Sequence, residues 1–371
     1  MSSPGLFARY SISNPATSVV KDSNALRIGI LGAARITPNS LILPARTLSS
    51  IVVVSVAARD HAKAIEYAKK WDIPTTHASY QELIDDPTID CIYNPLPNSL
   101  HFAWTKLALE AGKHVLLEKP ATSNADQARE LFALAKAKDL VLLEAFHYRF
   151  HPASLYFRDL VLNHAKDNKH PIQKITAILT FFSIYPATDI RYQYDLAGGA
   201  LMDMGSYTIN AIRYFTDSNV ESIEETLPTS IKPNLDGRFE AVLRLENGAT
   251  AEIIAALNNP WLEWRSWQEI TPRIVVETDD KIFTYGVYIL PGGYHYLTVK
   301  DKKTGKTENL PKQYQDGHQT YQYQLRAFVE AVRKGGYEHS DIPGWVTGED
   351  SITNMAIIDS LYKHANMKLR V

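Results

Sequence analysis

HVLLEKPAT, residues His114 to Thr122, decides the fold. His114 to Leu117 read as a short apolar strand that stops at Glu118-Lys119-Pro120. Proline has no N–H to give a sheet ladder, so the strand ends there. In an open α/β sheet the strand ends are where the ligand crevice lies. Lys119 is therefore expected to project into a crevice, on a backbone that Pro120 stiffens. Nucleotide-type sequence precedes it and sheet-forming sequence follows it, so Lys119 is the expected meeting point of cofactor and substrate.

Upstream, Leu26 to Leu31 (LRIGIL) has the pattern of a buried strand and runs into Gly32-Ala33-Ala34-Arg35-Ile36-Thr37, with helical sequence after Pro38. This is a variant of the G-x-G-x-x-G/A turn, in which backbone N–H groups at a helix start face a pyrophosphate. Alone it is also compatible with an ordinary strand-to-helix turn. A second β-branched strand, Ile51 to Ala57, ends at Ala58-Arg59-Asp60. The acidic residue that usually grips the adenosine ribose would stand near Ala58, and here an arginine follows instead. A guanidinium binds a 2′-phosphate that a carboxylate would repel. NADP(H) is thus expected over NAD(H), with Arg35 either a second contact or a solvated helix-start residue.

Strand Asp90 to Tyr93 leads to Asn94-Pro95-Leu96-Pro97-Asn98, a stiff loop whose two amides could face ribose or nicotinamide, or serve only as turn residues. The expected cofactor contacts along these strand ends are Gly32, Ala33, Ala34, Arg35, Ile36, Arg59, Asn94, Pro95, Leu96, Asn98, His101, Glu118 and Lys119. Helices at His61 to Trp71, His101 to Ala111 and Asn124 to Lys138, with strand Leu140 to Glu144, complete a β-α alternation. Right-handed crossovers make that a doubly wound parallel sheet.

Past this half, Ala145 to His151 (AFHYRFH) should overhang the same crevice or pack a hinge. His147 and His151 are four apart, but Pro152 follows and no nearby carboxylate completes a ligand set, so no metal is expected. From Ile172 the pattern becomes that of strands: ITAILTFFSI, FEAVLRLE, ATAEIIAALN, TPRIVVET and YHYLTVKD, with Asn247-Gly248 as a hairpin turn. The expected architecture is a Rossmann domain over 25–148 and an α+β domain over 149–371 with a large, mostly antiparallel open sheet. A second copy of the chain could cover that sheet. Within this half, Gly198 to Tyr207 (GGALMDMGSY) opens a helix that puts Asp203 and Tyr207 on one side. Asp203 as cap with Tyr207 as core, or an acid–base tyrosine beside a lysine, both fit.

The composition excludes several classes. The chain has 371 residues, 45% hydrophobic and 22% charged, with net charge -2, so no basic field points to nucleic acid or an acidic membrane. Cys91 is the single cysteine, which excludes an internal disulfide and favours a reducing compartment, read as cytoplasmic. No run of about 18 apolar residues offers a membrane span. Residues 1–24 are polar and lack a signal-peptide core, so they read as a flexible or partner-contacting arm, an organellar transit segment being the other reading.

The Glu118-Lys119-Pro120 motif after a Rossmann half, GGALMDMGSY, EAFHYRFHP and YNPLPNSLH together resemble the glucose-fructose oxidoreductase / inositol dehydrogenase (Gfo/Idh/MocA) family, from about Leu26 onward. Tyr207, where many members carry histidine, is similar to the branch of dimeric dihydrodiol dehydrogenases and NADP-dependent D-xylose 1-dehydrogenases. The resemblance implies that Lys119 and Tyr207 are catalytic with Asp203 nearby, and that the open sheet often forms a homodimer or higher oligomer. Ala34 departs from the usual glycine. The implied activity is hydride transfer between nicotinamide and a carbonyl or alcohol carbon of a sugar, diol or small carbonyl compound. His147, Arg149, Arg191, Tyr192 and Tyr207 are the expected substrate contacts. Trp261, Trp264 and Trp267 could wall an apolar pocket, pack an interface or fill a core. An apolar pocket would admit ketones or conjugated enones, and a dinucleotide sensor without chemistry is the remaining class.

Overall fold

The computed structural model describes residues 9, 11, 15, 17–166, 169–180, 185–257 and 271–371. Two compact units divide the chain: residues up to His151 together with Gln315–Ile352, and Pro152–Tyr314 together with Thr353–Val371. A single cut after 148 therefore misses that 315–352 return to the first unit. Local periodicity cannot show this, because the return is fixed by contacts remote in sequence. The tryptophans at 261, 264 and 267 lie outside the described residues.

The first unit is built on a six-stranded sheet of order β3-β2-β1-β4-β5-β6, all parallel. Its strands are β1 (Leu26–Leu31), β2 (Ile51–Ala57), β3 (Thr75–His77), β4 (Cys91–Asn94), β5 (His114–Leu117) and β6 (Leu142–Glu144). Their apolar runs are nearly continuous because helices cover both faces of such a sheet. The connecting helices start on side-chain caps. Asp60 accepts from Ala62 N, Ser79 from Glu82 N and Asn124 from Gln127 N, each satisfying an N–H that the helix cannot. Strand order reverses between β2-β1 and β4, and ligands of doubly wound sheets bind outside the carboxyl ends there.

The segment expected as a flexible arm is tied down at its end. Val19 N donates to Arg46 O, Asp22 N to Ser49 O, and Lys21 Nζ to the Ala45 and Leu48 carbonyls at 2.6 Å each. Lys21 loses its solvation for two carbonyls, which local polarity alone does not reveal.

Among the described residues the second unit carries an eight-stranded sheet of order β14-β13-β12-β11-β7-β10-β9-β8, in which only β7 and β10 pair in parallel. The strands are β7 (Ile172–Thr180), β8 (Val220–Lys232), β9 (Leu235–Leu245), β10 (Thr250–Ala256), β11 (Arg273–Thr278), β12 (Lys281–Gly286), β13 (Tyr296–Asp301) and β14 (Thr307–Asn309). The Asn247-Gly248 turn joins β9 to β10, with Gly248 at φ +84° and its N–H on Leu245 O. Helix Ser206–Thr216 packs on β7 and β10, and Phe157, Phe215 and Tyr285 form one aromatic cluster at ring separations of 5.2 to 6.2 Å.

The second unit also holds a fully buried ion pair, Arg370 Nη2 to Asp236 Oδ1 at 2.8 Å. Tyr362 Oη donates to the same carboxylate at 2.9 Å, and Arg370 Nε donates to Gly198 O at 2.8 Å. Burial raises the Asp236 carboxyl pKa even though Arg370 pulls it down. Removing one member leaves an uncompensated buried charge. Arg370→Met is expected to lose about 3 kcal/mol of stability, read as a lower urea midpoint, and an unchanged midpoint would show that water takes over the pairing.

Candidate active site

In the first unit the site is assembled from loops at the carboxyl ends of β1, β2, β4, β5 and β6. Gly32 follows β1 at φ +89°, and its N–H donates to Ala57 O at 2.7 Å. A Cβ there would also stand 2.9 Å from Leu96 Cδ2, a side-chain end that can shift, so the positive φ is what requires glycine. Thr37 is buried, and its Oγ1 meets no partner at good hydrogen-bond geometry among the described residues. A short π-type turn, Pro38–Ile42, begins the helical segment, followed by one α-turn at Leu43–Arg46 in place of a long helix. This turn, with a buried hydroxyl at its edge, fits a dinucleotide phosphate. Arg35, Ile36 and Arg59 are exposed, and Asp60 is occupied as a helix cap.

Glu118 and Lys119 sit on a buried frame. Tyr93 Oη donates to Glu118 Oε1 at 2.6 Å and lies 2.6 Å from Ser40 Oγ, which links the first turn to the end of β5. The Lys119–Pro120 peptide is cis. His101 is buried, with Nδ1 2.8 Å from Pro120 O and Nε2 2.7 Å from Leu96 O. Burial pushes this imidazole down to about 4, against the pull of both carbonyls. Asn94 is fully buried too: its Nδ2 donates to Thr105 Oγ1 at 3.0 Å, and its Oδ1 accepts from Leu96 N at 3.3 Å. Asn94 and His101 thus hold the Pro95-Leu96-Pro97 loop against the Pro120 turn instead of presenting themselves to a cofactor. The reason is the demand of buried carbonyls and amides for partners, which outranks a ligand for an amide or imidazole enclosed this far. Leu96 is buried and Asn98 opens the short Asn98–Leu100 turn.

After β6, His147–Phe150 form a single 3₁₀ turn and His151 is extended, so the two histidines do not share a helix face. His147 is buried, with Nδ1 2.8 Å from Thr320 Oγ1 and its ring 4.1 Å from that of Tyr321. Burial, and then the Lys119 charge, push it down to about 3, so it is neutral at physiological pH. Arg149 corrects the expectation of a substrate contact: its Nη2 donates to Trp345 O at 2.6 Å and its Nη1 pairs with Asp350 at 3.1 Å. A buried guanidinium needs such partners, and the returning segment supplies them. Thr320, Tyr321 and Asp350 had no local signal in the sequence.

In the second unit, Leu201–Gly205 is a π-turn that leads into the helix Ser206–Thr216 and carries Asp203 close before Tyr207. Leu201 N donates to Asp236 Oδ2 at 2.6 Å and Asp203 N to Gly199 O at 3.1 Å. Gly199, at φ +124°, has no room for a Cβ beside Asp236 and Arg370. Its small size therefore serves packing rather than ligand approach. Arg191 Nε donates to Asp203 Oδ2 at 2.5 Å and its Nη1 to Asp189 Oδ1 at 3.1 Å, while its guanidinium stacks 4.2 Å from the Tyr185 ring. Burial opposes the Arg191 charge, but Asp203, Tyr185 and Asp189 outweigh it and raise its pKa. Asp203 is thus neutralised by a fixed cation. Tyr192 and Tyr207 are both buried at this end of the unit.

Among the described residues, His164, His170 and Asp280 have ligand atoms within 4.8 Å of one another. The two imidazoles stack at 4.7 Å and 12°, so their ring planes, in which the nitrogen lone pairs lie, run nearly parallel and do not converge close to the pair. His164 bonds Asp280 at 2.8 Å and His170 bonds Asp279 at 3.0 Å, so each imidazole is already engaged by a carboxylate. No helix among the described residues is long and apolar enough to cross a membrane.

A parallel dinucleotide-binding sheet with a lysine at a strand end, and a separate mixed-sheet unit carrying an Asp–Tyr helix start, define a two-domain nicotinamide-dependent oxidoreductase. Residues 26–146 match the oxidoreductase family with an NAD-binding Rossmann fold, and residues 171–277 the GFO/IDH/MocA C-terminal domain. The chain is 31% identical over 340 residues to D-xylose 1-dehydrogenase (NADP(+)) 2 of Haloferax volcanii, covering 92% of this chain and 97% of that protein. It is 37% identical over 186 residues to human trans-1,2-dihydrobenzene-1,2-diol dehydrogenase, covering 50% of this chain and 54% of that one. A 3-ketoreductase from Actinomadura kijaniata in complex with NADP and TDP-benzene superposes with TM-score 0.78 at 25% identity, over 92% of this chain and 98% of that one. The chain belongs to the Gfo/Idh/MocA family of oxidoreductases.

Proposed function

We propose that the chain is an NADP(H)-dependent oxidoreductase of a sugar, a trans-dihydrodiol or a small carbonyl compound, with Tyr207 as acid/base and Lys119 as the activating and substrate-orienting group. The observation that carries this reading is the frame beneath Lys119. Tyr93, Glu118 and His101 fix its turn, and the Lys119 charge acts on three buried groups: His101, Glu144 and His147. A cation held this way in a site of low polarity stabilises oxyanion charge far better than it would in water.

The bound dinucleotide would supply the hydride-accepting or hydride-donating ring. Gly32 to Ile36 would hold its pyrophosphate, and Arg59 with Arg35 its 2′-phosphate. Tyr207 gives its proton to the developing alkoxide in reduction and takes it back in oxidation. A free phenol, with pKa near ~10, is a poor base at neutral pH, so the proposed role needs a cation that favours the phenolate, which is the part given to Lys119. Arg191 holds Asp203 as a carboxylate that orients a substrate hydroxyl. His147, neutral, belongs to the same proposal as a wall of the substrate pocket. Self-association through the open face of the second sheet belongs to the same proposal. On that face the half-buried side chains Glu240, Val242 and Ile254 alternate with core residues.

Fluorescence titration with NADPH and NADH, followed by turnover of D-xylose, a dihydrodiol and a carbonyl panel, tests the reading. NADPH should bind more tightly, and Arg59→Ala should narrow the preference about tenfold, the worth of a charge-assisted phosphate contact. An NADH preference overturns the role of Arg59, and no binding of either removes the cofactor assignment. Binding without turnover of any substrate favours a sensor, and turnover confined to apolar ketones or enones moves the substrate class.

A further inference from the structure

The stretch of chain that leads to Tyr207 does not support itself. Ala197 stands at φ +54° and Gly199 at φ +124°, and Leu201–Gly205 is a π-turn, so no regular repeat fixes the path from Gly198 to the helix Ser206–Thr216. A left-handed alanine persists only where its surroundings hold it. Partners set the path instead. Gly198 N donates to Gln193 O and Gly199 N to Arg191 O, both at 3.0 Å. A Cβ on Gly198 would stand 2.5 Å from Arg191 O, so these two passes of the chain touch. The Arg191 side chain in turn bonds Asp203, within the π-turn.

One buried side chain grips this stretch at two points. Arg370 Nε donates to Gly198 O at 2.8 Å. Its Nη2 donates at 2.8 Å to Asp236 Oδ1, and the other oxygen of that carboxylate takes the Leu201 amide at 2.6 Å. Tyr362 Oη accepts from Arg370 Nη2 and donates to Asp236 Oδ1, each at 2.9 Å. The guanidinium lies 4.2 Å from the Tyr362 ring and 5.0 Å from that of Tyr194, whose hydroxyl holds Leu369 O at 2.5 Å. A guanidinium carries its donors in a rigid fork, so it sets the separation of the groups it holds, which an ammonium does not. We propose that Arg370 is a positioning residue for the acid–base end of the site: by spanning Gly198 O and the Asp236 carboxylate it fixes where the Asp203 turn begins and hence where the Tyr207 hydroxyl stands. This rests on the reading of Tyr207 given above.

Arg370→Lys tests it, because a lysine keeps a charge beside Asp236 but cannot span both partners. The first readout needs no substrate. With 3-fluorotyrosine in place of Tyr207, the fluorine resonance should shift or split in Arg370→Lys relative to wild type. An unmoved single resonance in the folded variant overturns the inference. If Arg370→Lys does not fold, Tyr194→Phe removes only the hydroxyl on Leu369 O and should move that resonance as well; an unmoved one has the same consequence. The second readout is turnover. Arg370→Lys should lose about tenfold in kcat, with KM and NADPH affinity unchanged. In the Tyr207→Phe background the same substitution should cost less than about twofold, since no hydroxyl remains to misplace. An unchanged kcat, or an equal loss in both backgrounds, overturns the inference and leaves the proposed function standing. No wild-type turnover, with the resonance moved, removes the proposed function and leaves the fixed helix start in place.

Discussion

Lys119→Met is expected to lower turnover about a thousandfold while NADPH affinity stays within about twofold. Methionine keeps the length and apolar stem of lysine and removes only the ammonium. The turn that carries residue 119 does not depend on that charge. It is held by His101 on the Pro120 carbonyl, by Tyr93 on Glu118 and by Glu144 on the Ala121 amide. The backbone should therefore keep its place, and the loss should be that of charge aimed at a developing oxyanion, about 4 kcal/mol for a thousandfold. The check is single-turnover and steady-state kinetics beside an NADPH titration. Near-normal turnover would remove Lys119 from the chemistry. A large loss of NADPH affinity would make it a cofactor ligand instead.

Tyr207→Phe should cost a similar factor, about a thousandfold in kcat with KM little changed. Tyr207 is 6% exposed in the first turn of Ser206–Thr216, so a phenyl ring fills the same space and only the hydroxyl is lost. The preceding segment is fixed independently by Asp236 on the Leu201 amide and Arg370 on the Gly198 carbonyl, so the helix start should not move. If Tyr207 and Lys119 act in one proton-handling unit, the double variant should be hardly worse than either alone. Additive losses would separate them, and a change confined to KM would make Tyr207 a binding residue.

What the sequence made legible follows from which signals are local. The apolar runs of β1, β2 and β5, the Gly32 turn and the Asn247-Gly248 hairpin are encoded within a few residues of themselves, and each forms as expected. Strand β8 carries no such local signal, because its thirteen residues include Pro228 and several glutamates. They belong on an edge strand where one side meets solvent, a setting that a search for apolar alternation does not reward. The Lys119 turn was visible as a motif, but its supports were not. Asn94, His101 and Arg149 looked like ligand contacts because residue type cannot say whether an amide, imidazole or guanidinium faces a small molecule or an enclosed carbonyl. Glu144 reads in the sequence as no more than the end of a strand, since its bond to the Ala121 amide joins residues far apart in the chain.

The return of Gln315–Ile352 to the first unit also orders events on the ribosome. Domains tend to fold as their sequence emerges, N-terminal ones first. Here the dinucleotide sheet is translated first, but His147 waits for Thr320 and Tyr321, and Arg149 waits for Trp345 and Asp350. The strands of the second unit, β7 to β14, all emerge before those partners do. A nascent chain therefore holds its cofactor half open until most of its companion has been made, and the proposed site is among the last parts of the molecule to mature.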